Sequence, residues 1–355
     1  MNKTVVVGLS GGVDSSVAAY LLKKQGYQVI GLFMKNWEDD EFCPNEKDYQ
    51  DVVAIAEKLE IPFYSVNFVE EYKKNVFDHF IKELKLGFTP NPDILCNREI
   101  KFAYFYEKAK SLGADFIATG HYAKVLQDGL LRKCKDQNKD QTYFLYAVKQ
   151  KVLKEVLFPL ADLTKPEIRA IAKEIGLITH DKKDSTGICF VGKRDFKEFI
   201  CQYIPKQEGF FKTPEGKIIK PHDGYWFYTI GQRKGLEIGG EGEAWFVVDK
   251  DPKTNSVIVA QGENNPHLYK KMLIANEAHF IDESFELSFP FRCTAKIRYR
   301  QQEQGCTIIG KTSTNGLIIE FDQPQRAITP RQSIVFYLSD LCLGGAFIEQ
   351  GLASD

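Results

Sequence analysis

Residues 4–16, TVVVGLSGGVDSS, decide how the rest of the chain is read. Thr4 to Leu9 is a near-continuous apolar run, the composition of a parallel strand buried on both faces. The run breaks at Ser10, Gly11 and Gly12. From Ser15 to Gln25 the apolar residues Val17, Ala18, Leu21 and Leu22 share one helical stripe, and Gly26 stands where a helix end favours glycine. A strand, a glycine turn and a helix in that order place unpaired N–H groups and a positive dipole end beside the turn, so an anion is expected there. Gly11 and Gly12 let backbone come close to a ligand, and Ser10, Ser15 and Ser16 offer hydroxyls. The turn is not a Walker loop, because no lysine follows the glycines, and it is not GxGxxG. The competing reading is an ordinary capped turn with Asp14 or a serine as the cap.

Outward from this turn, β-rich runs alternate with amphipathic stretches. Strands are expected at Val29–Met34, Phe63–Phe68 and Phe116–Thr119, and helices at Asp48–Leu59, Glu71–Leu86, Arg98–Leu112 and Lys165–Ile175. That alternation predicts an α/β fold, a doubly wound, mostly parallel sheet with its ligand outside the carboxyl ends of the strands. Beyond about Pro205 helical periodicity fades. Short β-branched and aromatic runs between turns, such as Trp245–Asp249, Ser256–Ala260, Cys306–Gly310, Gly316–Phe321 and Ser333–Leu338, predict an all-β remainder. A helical-looking, charged break near His267–Glu286 divides it into two small β-rich domains, the last a β-barrel. The expected domains are 1–205, 206–275 and 276–355.

A chain of 355 residues is too long for one ordinary core. Its 47 Lys and Arg against 48 Asp and Glu leave a net charge of −1, so any nucleic-acid site has to be a local patch. No stretch approaches the roughly 20 apolar residues that cross a bilayer, and MNKTVVVGLS lacks the features of a signal sequence. The cytoplasm and no membrane partner are expected. The 8 cysteines contain no CxxC pair, which argues against a zinc knuckle built on local pairs.

Two cysteines stand in unusual surroundings. Cys96, in NPDILCNREIKF (Asn91–Phe102), is expected at or just before a helix N-terminus with Arg98 beside it, a setting that favours thiolate. Cys189, in DSTGICF (Asp184–Phe190), follows Gly187 in a loop preceded by Lys182 and Lys183. For each, the alternative is a small apolar filler.

The turn at Gly8–Ser16 resembles the SGGxDS signature of the PP-loop ATP pyrophosphatases, which cleave ATP between the α and β phosphates and pass AMP to a substrate oxygen. Taken together, SGGVDSS, KNW, TPNPDILCN, IKF, ATGHYA, KDQTYFL, KKDSTGICF, TIGQRKGL, RYRQ, TPRQS and CLGG look like the tRNA-specific 2-thiouridylase family, in order through nearly the whole chain. The resemblance implies adenylation of the C2 oxygen of a wobble uridine, then displacement of AMP by sulfur. It implies ATP bound along Gly8, Leu9, Ser10, Gly11, Gly12, Val13, Asp14, Ser15 and Ser16, with Met34 at the second strand's exit and Gly120 at a later one. From sequence, Met34 reads equally as core. It makes Cys189 the persulfide carrier and Cys96 its partner nucleophile, with a transient disulfide between them, and Asp93 a candidate acid or base.

It also implies a target base held by Asn91, Pro92 and Asp93. Further tRNA contacts map to His121, to Lys139, Asp140 and Gln141, to Arg298, Tyr299 and Arg300, and to Gln332. A lone His121 is otherwise structural, and Ile297–Arg300 otherwise reads as a strand with a solvated face. Arg331 departs from the family, which usually has glycine there. Mg2+ is implied by the polyphosphate chemistry, its ligands unreadable beyond Asp14 as the nearest acid. The partners implied are tRNA and a sulfur donor, either a persulfide relay protein or a cysteine desulfurase. The competing functions are a nitrogen-transferring PP-loop ligase, which needs no paired thiols, and a noncatalytic RNA-binding protein.

Overall fold

The computed structural model describes residues 3–38, 45–184, 188, 190–192 and 194–352. Its first part is built on strands β1 (Thr4–Leu9), β2 (Gln28–Lys35), β3 (Phe63–Asn67), β4 (Phe116–Ala118) and, after the small ribbon β5 (Lys124–Val125) and β6 (Leu131–Arg132), β7 (Val156–Leu157). The sheet runs β3-β2-β1-β4-β7, all parallel, as the apolar runs predicted. Alternate residues of β1 feed opposite faces, as a strand's period of two requires. Val6 joins the cluster under the helices after β3, while Val5, Val7 and Leu9 join the one under α1 (Val13–Lys24) and α2 (Asn45–Leu59). Because β2 and β4 flank β1 on opposite sides, strand order reverses at β1. The crevice beyond the ends of β1 and β4 is therefore the place a ligand is expected.

Four strands, β8 (Gly209–Lys212), β9 (Ile218–His222), β10 (Trp245–Asp251) and β11 (Ser256–Gln261), form a second sheet in the order β10-β11-β8-β9. The last part comprises β12 (Tyr269–Phe280), β13 (Phe291–Lys296), β14 (Gln304–Lys311), β15 (Leu317–Arg326), β16 (Ser333–Leu338) and β17 (Leu341–Leu352). The order β12-β15-β14-β13-β16-β17, with β17 returning to β12, closes a barrel around Leu273, Ile308, Ile319 and Phe336. The ribbon from the first part joins its rim, Arg132 pairing with Leu341.

The helical-looking break is instead strand β12, and the expected division at 275/276 passes through it. Register shifts at Lys270/Met272, Ile274/Ala275 and Asn276/His279, with Glu277 at φ 54°, scramble the in–out alternation that marks a strand. The helices Thr142–Leu145, Gln150–Leu153 and Phe196–Cys201 were not expected, being too short to show a period. The helix expected at Arg98–Leu112 begins at Pro92 and runs through a π-helical stretch, Cys96–Tyr104, to Ser111. Among the described residues no helix is long and apolar enough to cross a membrane.

Candidate active site

The glycine turn sits in the crevice at the end of β1. Gly11 has φ +69°, and a Cβ on it would lie 2.6 Å from the Asp48 carbonyl, so glycine is needed for both conformation and space. Gly12 is the N-cap of α1 and no side chain caps the helix, which removes the capped-turn reading. The serine hydroxyls turn elsewhere: Ser15 and Ser16 donate to the Gly12 carbonyl at 3.2 and 2.7 Å, and Ser10 N–H donates to Ser15 Oγ at 3.2 Å. The first-turn amides are left for an anion. Leu9 and Val13 are buried, so they can offer a ligand only backbone.

Met34 Cε lies 3.5 Å from where a Cβ on Gly8 would be, as does Phe105 Cζ, which puts the half-buried Met34 at the mouth beside the turn. Gly120 also braces the turn. A Cβ there would stand 2.7 Å from Ser15 N and 2.8 Å from the Asp14 carbonyl carbon, so its bare backbone lets β4's exit press on the start of α1. Asp14 accepts from Tyr122 Oη at 2.7 Å and from Lys165 Nζ at 2.7 and 2.8 Å.

The second centre lies on the same edge of the sheet. Asn91 caps the helix that follows, its Oδ1 accepting from Asp93 N–H at 3.1 Å, with Pro92 in the first turn. Cys96 therefore lies inside a helical segment rather than at its start. It is buried at 6% exposure, and Arg98 is paired with Glu99 at 2.6 Å. Burial pushes the Cys96 thiol up, Lys101 pulls it down, and Asp93 raises it again. Burial likewise raises the Asp93 carboxyl, opposed by Lys101. Lys101, missed in the sequence, acts on both groups from within the π-helical stretch Cys96–Tyr104. No local signal in the sequence announces that π stretch.

His121 is buried, with Nδ1 2.7 Å from Thr119 Oγ1 and its ring 5.9 Å from Phe102 and 6.1 Å from Phe158. Burial first, and Lys101 second, hold its pKa well below the ordinary range, so the ring is neutral. Cys189 lies outside the described residues. Phe190, in ring contact with Trp37 at 5.6 Å and Phe80 at 5.2 Å, belongs to the same apolar cluster as Cys96.

The other nucleic-acid candidates divide sharply. Asp140 is buried and its carboxylate accepts from the N–H groups of Cys134 at 2.9 Å and Thr142 at 3.2 Å, and from the Thr142 hydroxyl, so it holds a turn. Gln141 bonds Tyr122 N–H at 2.9 Å, and Lys139 is paired with Asp184 at 2.7 Å. Arg298, half-buried, donates from Nη2 to Ile230 O at 3.0 Å, Ala327 O at 3.0 Å and Thr329 Oγ1 at 3.3 Å, which ties the segment before β10 to the barrel. The Tyr299 ring is 4.4 Å from Phe144. Arg300 is exposed. Gln332 Nε2 donates to Thr89 O at 2.5 Å, just before Asn91. Arg331 has φ +66°, a conformation that suits glycine, and pairs with Glu83 at 2.9 Å and Glu277 at 3.0 Å.

Among the described residues no group of three or more His, Cys, Asp or Glu side chains could hold a metal ion. With Asp14 engaged by Lys165 and Tyr122, these residues suit magnesium only as a companion of a bound polyphosphate, which keeps most of its ligands from phosphate and water.

A sheet whose order reverses beside an uncapped glycine turn, with a buried thiol and acid on the same edge, defines a PP-loop nucleotide protein carrying two β modules. Residues 3–193 match the model described as tRNA methyl transferase HUP domain, 197–261 the tRNA methyl transferase PRC-barrel domain, and 270–348 the Aminomethyltransferase beta-barrel domain. The chain is 54% identical over 355 residues to tRNA-specific 2-thiouridylase MnmA of Protochlamydia amoebophila, covering 98% of this chain and 94% of that one. It is 54% identical over 352 residues to the protein of that name from Shouchella clausii, covering 98% and 96%. To that of Legionella pneumophila (strain Paris) it is 53% identical over 360 residues, covering 99% of each. The chain belongs to the tRNA-specific 2-thiouridylase family.

Proposed function

We propose that this chain is an ATP-dependent sulfurtransferase that converts the wobble uridine of tRNA to 2-thiouridine. What supports it most is the adjacency of its two centres. Phe105 of the Cys96 helix lies against Gly8 of the nucleotide turn, and Phe102 lies against His121 beyond β4, so an α-phosphate and a thiol can face one base.

In this reading ATP lies along Gly8–Ser16 with adenine near Met34. The target uracil enters at Asn91, Pro92 and Asp93, flipped from its stack. The C2 oxygen attacks the α-phosphorus and pyrophosphate leaves. Cys189 carries a persulfide. The Cys96 thiolate attacks the Cys189 sulfur, a Cys96–Cys189 disulfide forms, and hydrosulfide departs with the electron pair of the broken S–S bond. Hydrosulfide adds at C2 and AMP is expelled; a thiol reductant then returns two electrons to the disulfide. Asp93, its carboxyl raised by burial, serves as acid or base at the uracil. Magnesium, bound with the triphosphate, supplies charge neutralisation to the leaving group. Arg300 and Gln332 serve the tRNA, sulfur arrives from a relay protein or a cysteine desulfurase, and the setting is the cytoplasm.

The test is incubation with ATP, a labelled persulfide donor and unmodified tRNA. AMP and label in the wobble uridine should appear together, and both should vanish in Cys96→Ser and Cys189→Ser. A nitrogen-transferring ligase would keep its activity in both variants. A noncatalytic RNA binder would release no AMP.

A further inference from the structure

The glycine turn has no lysine of its own, and the fold brings one to it from far along the chain. Lys165, first residue of the helix Lys165–Glu174, is 8% exposed and grips both oxygens of Asp14 across 151 positions of sequence. It also meets Asp184 Oδ1 at 2.7 Å and lies 5.8 Å from the centre of the Tyr122 ring. Asp184 also collects Lys139 at 2.7 Å and Arg169 at 3.1 Å. Three cations thus share these two carboxylates beside the uncapped start of α1.

A buried ammonium persists only with anionic partners, and a polyphosphate can take the place of a carboxylate with more charge. Lys182 is used differently. It donates to Gly11 O at 2.9 Å, Asp48 at 2.7 Å and Asp51 at 2.6 Å, so its donors are spent shaping the turn.

We propose that Lys165, with Lys139 and Arg169 gathered on Asp184, seats the β- and γ-phosphates of ATP and receives the departing pyrophosphate in place of the lysine the turn lacks. This rests on the ATP reading above. When the uracil oxygen bonds to the α-phosphorus, the α–β phosphoanhydride bond breaks and its electron pair leaves on a β-phosphate oxygen. The charge that grows there is the charge Lys165 meets. Asp14 and Asp184 hold the ammonium in position and yield it to phosphate.

Calorimetric titration of the full chain separates the roles with three probes: an ATP analogue with a methylene between the α and β phosphorus, AMP, and inorganic pyrophosphate. Lys165→Met is expected to weaken the analogue and pyrophosphate by about 10- to 100-fold, the worth of a charged hydrogen bond, with AMP unchanged. Lys165→Arg regains most of the loss. Lys139→Met, at a half-buried position away from Asp14, loses less on the same two probes and carries the test if Lys165→Met unfolds. Equal losses for analogue and AMP, or no loss in either methionine variant, overturn the proposal. A wild-type chain that binds neither analogue nor AMP overturns the ATP reading itself.

Discussion

Replacing Gly120 with alanine adds one methyl carbon where β4's exit meets the start of α1. The nearest atoms to that carbon would be Ser15 N at 2.7 Å, the Asp14 carbonyl carbon at 2.8 Å and Asp14 Cβ at 3.1 Å. The two closest belong to backbone, so no flexible side chain can move aside. Ordinary contact begins near 3.4 Å, so the two segments must part by about 0.7 Å. Overpacking of this kind destabilises by about 1–3 kcal/mol, which lowers Tm by about 2–4 °C per kcal/mol in a unit of this size.

The larger effect falls on function, because the displaced amides are those proposed to hold phosphate. A misplacement near 1 Å reduces a positioned reaction by about 100-fold. Gly310→Ala is the control, since its Cβ meets nothing within 4 Å. Tm by scanning calorimetry and the KM for ATP in AMP release are the measurements. Should Gly120→Ala match wild type in both, β4 does not brace the nucleotide turn and the reasoning is wrong.

Four further outcomes are expected. Lys101→Met should raise the pH midpoint for alkylation of Cys96, followed by peptide mass spectrometry, while Lys101→Arg keeps it; an unmoved midpoint would place Lys101 outside the thiol's field. Burial pushes the Lys250 ammonium down to about 8, so the unfolded chain binds the extra proton between about pH 8 and the ordinary lysine range. Stability should therefore rise with pH across that window, and Lys250→Met should lose that part of the slope in urea titrations. Arg298→Met should lower Tm, because it strips a donor from Ile230 O, Ala327 O and Thr329 Oγ1; the last two keep their mutual bond at 2.9 Å, so the loss is about 1–3 kcal/mol, that of one group left unpaired. Arg300→Ala should leave Tm alone and weaken tRNA binding, most visibly at low salt; the reverse pattern would restore the alternate assignment.

What could be read from the sequence was whatever a single segment writes down by itself. The valines of β1 need both faces covered, and the glycines after them need a close approach, whatever the remainder does. What depended on distant partners was hidden. Arg298 and Arg300 look alike two positions apart, yet one is consumed between modules and the other faces solvent. Asp140 and His121 sit in promising motifs and are buried in structural bonds. Lys165 meets the glycine turn only through tertiary folding, and β12 lost its strand pattern to its own bulges. Lys101 lies in a π-helical stretch with Cys96, an element that periodicity cannot detect.

Thr89 joins all parts of the chain. Its carbonyl is held by Gln332, its amide reaches Pro330 O at 3.5 Å, and its hydroxyl stands 3.5 Å from both Thr229 Oγ1 and Lys250 Nζ. Only Pro90 separates it from the residue that starts the helix of Asp93 and Cys96. A single residue thereby moors the start of that helix to both β modules at once, like a peg that takes two guy ropes.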